Sequence, residues 1–174
     1  MAGEVTQPLI VTAELAASDL AYFDGLRRRH FPPERNRIAA HLTMFHAIPA
    51  SNEAELRHRL ASLASELPPL RASVTGLMNL GGGVAFRIVS DDLDAVRAEL
   101  SAAFRGQLTL QDQHGWRPHI TVQNKVTSSM AVATLQELER GFEPRALGIA
   151  GLAYHHYEGG PWRLGRRYPF RGTS

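Results

Sequence analysis

Residues 117–126, RPHITVQNKV, form an apolar, β-branched run that predicts a strand, yet the run carries a histidine and a threonine two positions apart. Side chains alternate between the faces of a strand, so His119, Thr121 and Gln123 fall on one face and Ile120 with Val122 on the other. Residues 41–45, HLTMF, repeat the pattern 78 positions earlier: His41, Thr43 and Phe45 share a face, while Leu42 and Met44 point into the core. A single triplet of this kind is ordinary strand polarity, because most strand histidines are surface or satisfied core residues. Two at matching places imply a shared site.

Around the triplets the chain repeats one order of elements. The first half reads as strand PLIVTAEL, helix SDLAYFDGLRRRHF, strand HLTMFHAIP, helix SNEAELRHRLASLASELPP and strand LRASVTGLMNL. After a GGG turn, VAFRIVS, DDLDAVRAELSAAFRG, HITVQNKV, SSMAVATLQELERGF and RALGIAGLAYHHY give the same strand-helix-strand-helix-strand order. Short identities agree with the register: Gly76-Leu77 recurs at Gly151-Leu152 after 75 residues, and Asp19-Leu20 at Asp92-Leu93 after 73. The expected architecture is α+β: a duplicated β-α-β-α-β unit, with repeats at about 8–80 and 83–157. The aromatic and arginine-rich segment at about 161–170, PWRLGRRYPF, has no partner in the first repeat and predicts an extra edge strand. No linker separates the halves, so residues 1–174 are expected to be one two-lobed domain. Within it, Asn52 and Glu55 predict a capping box for a helix that buries Leu56, Leu60, Leu63 and Leu67. The glycine turn predicts a hairpin; no G-K-[ST] follows it, which excludes a phosphate loop.

Composition narrows the chemistry. A chain of 174 residues with 44% hydrophobic residues suffices for a genuine core. The absence of cysteine removes disulfides, thiolate nucleophiles and zinc-thiolate sites, and eight histidines carry the titratable chemistry near neutral pH. A net charge of +2 does not coat a nucleic acid, and most arginines lie in patterns such as LRRRH and ELRHRL that read as solvated helix faces. No apolar run approaches the ~20 residues of a membrane span, and a basic segment followed by an apolar one is missing at the N-terminus. A soluble, cytoplasmic monomer with no obligate protein partner is expected. His155, His156 and His114 do not make a metal site by spacing, since adjacent strand residues face opposite ways. His46 lies at odd spacing from His41 and is expected on the opposite face.

If an approximate two-fold axis relates the halves, the two His-Thr pairs converge on one cleft suited to a small anion. There, a neutral imidazole takes a proton, a protonated one gives it, and threonine hydroxyls donate to oxygens that gain charge. HLTMF and HITVQNKV resemble the paired H-x-[ST]-x motifs of the two-histidine phosphoesterase superfamily, whose bacterial members are known as 2′-5′ RNA ligase-like proteins or RNA 2′,3′-cyclic phosphodiesterases. The resemblance implies a bilobal fold with antiparallel sheets lining a central cleft. It also assigns catalysis to His41 and His119 and phosphate binding to Thr43 and Thr121. The activity implied is metal-free and cofactor-free hydrolysis of a cyclic phosphodiester on an RNA end or small nucleotide, with reversible 2′-5′ RNA ligation at the same site as a secondary activity. Phe45 is expected either to stack on a base or to form a cleft wall, and Arg117 and Lys125 either to attract phosphate or to remain solvated. Gln123, on the face of His119, is a further candidate contact. The alternative is a nucleotide- or RNA-binding module that keeps the cleft without turnover.

Overall fold

The computed structural model describes residues 7–173. Its strands are β1 (Leu9–Leu15), β2 (Leu42–Ile48), β3 (Leu70–Asn79), β4 (Val84–Val89), β5 (His119–Gln123), β6 (Arg145–Tyr157) and β7 (Trp162–Pro169). The helices are α1 (Ala17–His30), α2 (Glu53–Glu66), α3 (Asp91–Ala103), the single turn α4 (Leu110–Gln113) and α5 (Ser128–Arg140). Every strand pairing is antiparallel, in the order β2-β1-β6-β3-β4-β5, with β7 added to β6 beyond the stretch that pairs with β3. Exchanging β1 with β4, β2 with β5 and β3 with β6 returns the same order read backwards. None of the helices described is long and apolar enough to cross a membrane.

The halves also share their irregularities. Thr12 opposes Thr43 and Val11 opposes Phe45, so Met44 is an extra residue in β2; Ala85 opposes Thr121 and Val84 opposes Gln123, so Val122 is the extra residue in β5. A second pair of bulges places Thr75 of β3 and Ala150 of β6 one residue before the glycines of the two Gly-Leu dipeptides. The Asp-Leu dipeptides match in role too. Asp19 accepts from the Gly148 amide on β6 at 2.9 Å, and Asp92 accepts from the Arg71 amide on β3 at 3.4 Å. Each anchors the start of its helix to a strand of the other half.

Amphipathic helices close the core. Phe23 and Leu26 of α1, Leu56, Leu60 and Leu63 of α2, and Leu93, Val96 and Leu100 of α3 are all buried against the sheet. Leu67, just beyond α2, is packed there in part. The expected capping box does not form: a turn of 3-10 helix at Ala50–Asn52 leads into α2, and the Asn52 amide instead donates to Gln107 Oε1 at 2.6 Å. The glycine turn joins β3 to β4 as expected, with Gly81 at φ 87°. Gly83 has a packing role besides, because a Cβ there would collide with the Gln123 carbonyl at the end of β5.

Candidate active site

His41 stands one residue before β2 and His119 opens β5. Each imidazole is tied in the same way: Nδ1 of His41 lies 2.8 Å from the Ala39 carbonyl, and Nδ1 of His119 lies 2.7 Å from the Arg117 carbonyl. A carbonyl only accepts, so Nδ1 carries the proton in both rings and Nε2 is the atom free for chemistry. A neutral ring then offers a lone pair at Nε2, and a protonated ring a hydrogen at the same atom. Thr43 and Thr121 follow two residues on, both half-buried, while the residues between and beside them, Leu42, Met44, Ile120 and Val122, are core.

The bulges redirect the next side chains. Alternation alone predicts Phe45 and Gln123 on the histidine faces, but the extra residue in each strand reverses the parity beyond the threonine. Phe45 is fully buried beneath the Arg97 guanidinium, 4.6 Å from the ring centroid, so it is no base-stacking surface and no wall of the cleft. Gln123 is likewise turned into the core, where its amide donates to Thr134 of α5 at 2.8 Å. Neither is placed to touch a substrate. Arg117 and Lys125 are exposed, and Lys125 has a left-handed backbone at φ 64°.

The two motif strands lie against each other across the open ends of the sheet, held by side chains from opposite halves. Arg27 of α1, buried, donates to the Thr121 carbonyl of β5 at 2.9 Å and to Asn36 Oδ1 at 3.0 Å. Arg97 of α3 donates to the Met44 carbonyl of β2 at 3.1 Å and to the Asp112 carbonyl at 2.7 Å. Trp116 adds a 3.3 Å bond to the Thr43 carbonyl, and the buried Asp112 carboxylate accepts from the backbone of His46 and Ala47 at 2.8 to 3.1 Å. Carbonyls and amides beside the bulges would otherwise be orphaned, since β2 and β5 end the strand order. Sequence reasoning missed both arginines: nothing local separates Arg27 from Arg28 and Arg29 in LRRRH, and the carbonyl partners of Arg97 lie 53 and 15 positions away.

His41 has further neighbours. The indole of Trp162, from β7, lies 5.0 Å from its ring centroid and 5.6 Å from that of His155. His155 in turn lies with Nε2 3.3 Å from the hydroxyl of Thr12, the residue opposite Thr43. Burial, reinforced by the charges of Arg27, His155 and His119, outweighs the Ala39 bond and pushes the His41 pKa down to about 4. Burial and the charges of Arg167 and His156 lower His155 to about 4 as well. His156 faces the other way, 3.4 Å from Glu53 of α2, as strand alternation requires. His46 is exposed along one edge, and partial burial of its ring, ahead of the charges of His119 and Arg97, lowers its pKa despite Asp112.

Residues 14–161 match the family model of the 2′-5′ RNA ligase superfamily. The chain belongs to that superfamily. This member shares its fold with TT0787 of Thermus thermophilus, at TM-score 0.67 and 15% identity over 96% of this chain and 100% of that one. It is similar also to a crystallised phosphoesterase, at TM-score 0.61 and 18% identity over 94% and 98% of the two chains. The E. coli protein LigT, complexed with 3′-AMP, matches at TM-score 0.58 and 18% identity, again over 94% and 98%. No curated protein sequence matches the superfamily member. At such identities the structural likeness is one of fold, whereas the family model reaches from the last residues of β1 through both motif strands to the start of β7.

Proposed function

We propose that the protein is a metal-independent phosphodiesterase that opens 2′,3′-cyclic phosphates on RNA ends or small nucleotides. The observation that carries this reading is the pair of identically tethered imidazoles, each with Nε2 free and a threonine two residues on, on strands that lie together. His41 acts as the base, because its surroundings favour the neutral ring at neutral pH. Water attacks phosphorus and passes a proton to His41 Nε2 as the new P–O bond forms. The opposite P–O bond to ribose breaks, and His119 delivers its Nε2 proton to the departing oxygen. Thr43 and Thr121 donate to the non-bridging oxygens. With a ribose 5′-hydroxyl in place of water, the same steps would break the bond from phosphorus to the 3′ oxygen and leave a 2′-5′ bond between two RNA ends; abundant water favours hydrolysis. Complexes of E. coli LigT with 3′-AMP, ATP and phosphate are in keeping with a nucleotide phosphate in this cleft.

The test is turnover. Purified protein with a nucleoside 2′,3′-cyclic phosphate, in buffer containing EDTA, should release a nucleoside monophosphate. Activity lost in EDTA and restored by a divalent ion would overturn the two-histidine mechanism, since a metallohydrolase depends on metal-activated water. Binding of the cyclic phosphate with no turnover in any buffer would instead make the protein a nucleotide-binding module.

A further inference from the structure

One face of β6 and β7 continues from the histidine site and has no part in the reaction above. Side chains of directly opposed residues in a sheet share a face. Tyr157 opposes Trp162 and His155 opposes Leu164, so these four residues form one patch on the side of the sheet that holds Thr12 and Thr43. Its near end is Trp162, in contact with His41. Its far part is open: Tyr157 is 37% and Leu164 40% exposed, apolar surface that the fold leaves uncovered. Of the arginines of β7, Arg163 and Arg166 oppose His156 and Tyr154 and so lie on the other face. Arg167, on the face of the patch opposite Ala153, is held at 2.9 Å by Glu14.

We infer that this face is a subsite for the nucleotide preceding the cyclic phosphate in a single-stranded RNA, with its base laid on the Trp162, Tyr157 and Leu164 surface. Exposed flat apolar groups are the means by which proteins stack the bases of single strands without reading sequence. The position selects this occupant. Trp162 touches the ring that takes the proton from the attacking water, so a chain leading away from the cyclic phosphate over β6 and β7 meets the patch within one nucleotide. The inference rests on the phosphodiesterase reading and narrows its substrate to RNA ends.

Two measurements test it. The wild-type protein should hydrolyse a trinucleotide ending in a 2′,3′-cyclic phosphate with kcat/KM at least ~10-fold above that of the corresponding nucleoside 2′,3′-cyclic phosphate, as one stacked base contributes ~1–3 kcal/mol. In Tyr157→Ser and Leu164→Ser, both exposed positions, this ratio should fall towards one. The second measurement needs no turnover. Only two tryptophans are present, so the fluorescence difference between the wild type and Trp162→Phe isolates Trp162. A trinucleotide with a 3′-phosphate should quench that signal saturably, and inorganic phosphate should not. Equal kcat/KM for the two substrates, without quenching, would overturn the subsite and leave the phosphodiesterase standing. Saturable quenching without turnover of either substrate would do the reverse.

Discussion

The two motif strands are alike in backbone and unlike in surroundings. β2 and β5 carry the same tether from histidine Nδ1 to the carbonyl two residues back, the same bulge after the threonine and the same clamp by an arginine from the other half. The side chains around them differ. His41 has Trp162 against its ring and lies near Arg27 and His155, while the residue opposite its threonine is Thr12; the residue opposite Thr121 is Ala85. The comparison teaches that a repeated backbone supplies two imidazoles in the same tethered geometry, while unequal neighbours make their surroundings differ; in the proposed mechanism that difference assigns the base. Phe45 and Gln123, at equivalent places past the bulges, show the same division: both are buried, one under a guanidinium and one hydrogen-bonded to α5.

The largest expected effect tests the likeness. Replacing His41 or His119 with alanine should lower kcat for a 2′,3′-cyclic nucleotide by ~10²–10⁴-fold in each case, as for loss of a general base or acid. Near-normal turnover in either variant would show that its motif is structural and would break the equivalence.

The clamps come next. Arg27→Met and Arg97→Met each leave a strand carbonyl without its donor, and an unsatisfied buried acceptor costs ~1–3 kcal/mol. Urea unfolding should show a loss of that order in both variants. A loss confined to one would mean that the halves are held together from one side only.

A smaller effect sharpens the difference. The positive charge of Arg27 helps to hold the His41 pKa down, so Arg27→Gln should raise it. A base of higher pKa becomes protonated at higher pH, and the acid limb of the kcat profile should move upward. A downward or absent shift would remove His41 from the role of base. Because the two imidazoles interact, the limbs belong to the pair and not to one residue.

The smallest effect concerns stability. His41 and His155 both fall from 6.5 to about 4 in the folded protein. Between those values the unfolded chain binds protons that the folded chain refuses, so stability should be full above pH 6.5, decline as pH falls through the window and level below about 4. The decline should be shallower in His155→Phe. An identical slope in the variant, measured by urea unfolding from pH 7 to 4.5, would show that burial does not hold His155 neutral.

Much of this molecule is legible in its sequence. The order of elements, the hydrophobic stripes of the helices, the hairpin at the glycines and the paired histidine and threonine positions all follow from local periodicity, which a chain writes into neighbouring residues. The opposite facing of His155 and His156 follows from it too. Where local rules lead astray, a non-local contact outweighs them: Asn52 gives its amide to Gln107 and not to its own helix, and one extra residue in each motif strand reverses the facing of Phe45 and Gln123. Pairing register depends on the partner strand, so a bulge leaves no local signal. The same holds for Arg27, buried beside two arginines of identical local character, for Arg97, whose carbonyl partners lie far away in the chain, and for Trp162, whose ring meets His41 from 121 positions away. The sequence by itself determined where the histidine and threonine pairs stand and how they recur. Only the tertiary structure decided their unequal burial, because desolvation and charge depend on what lies nearby in space, whatever its distance along the chain.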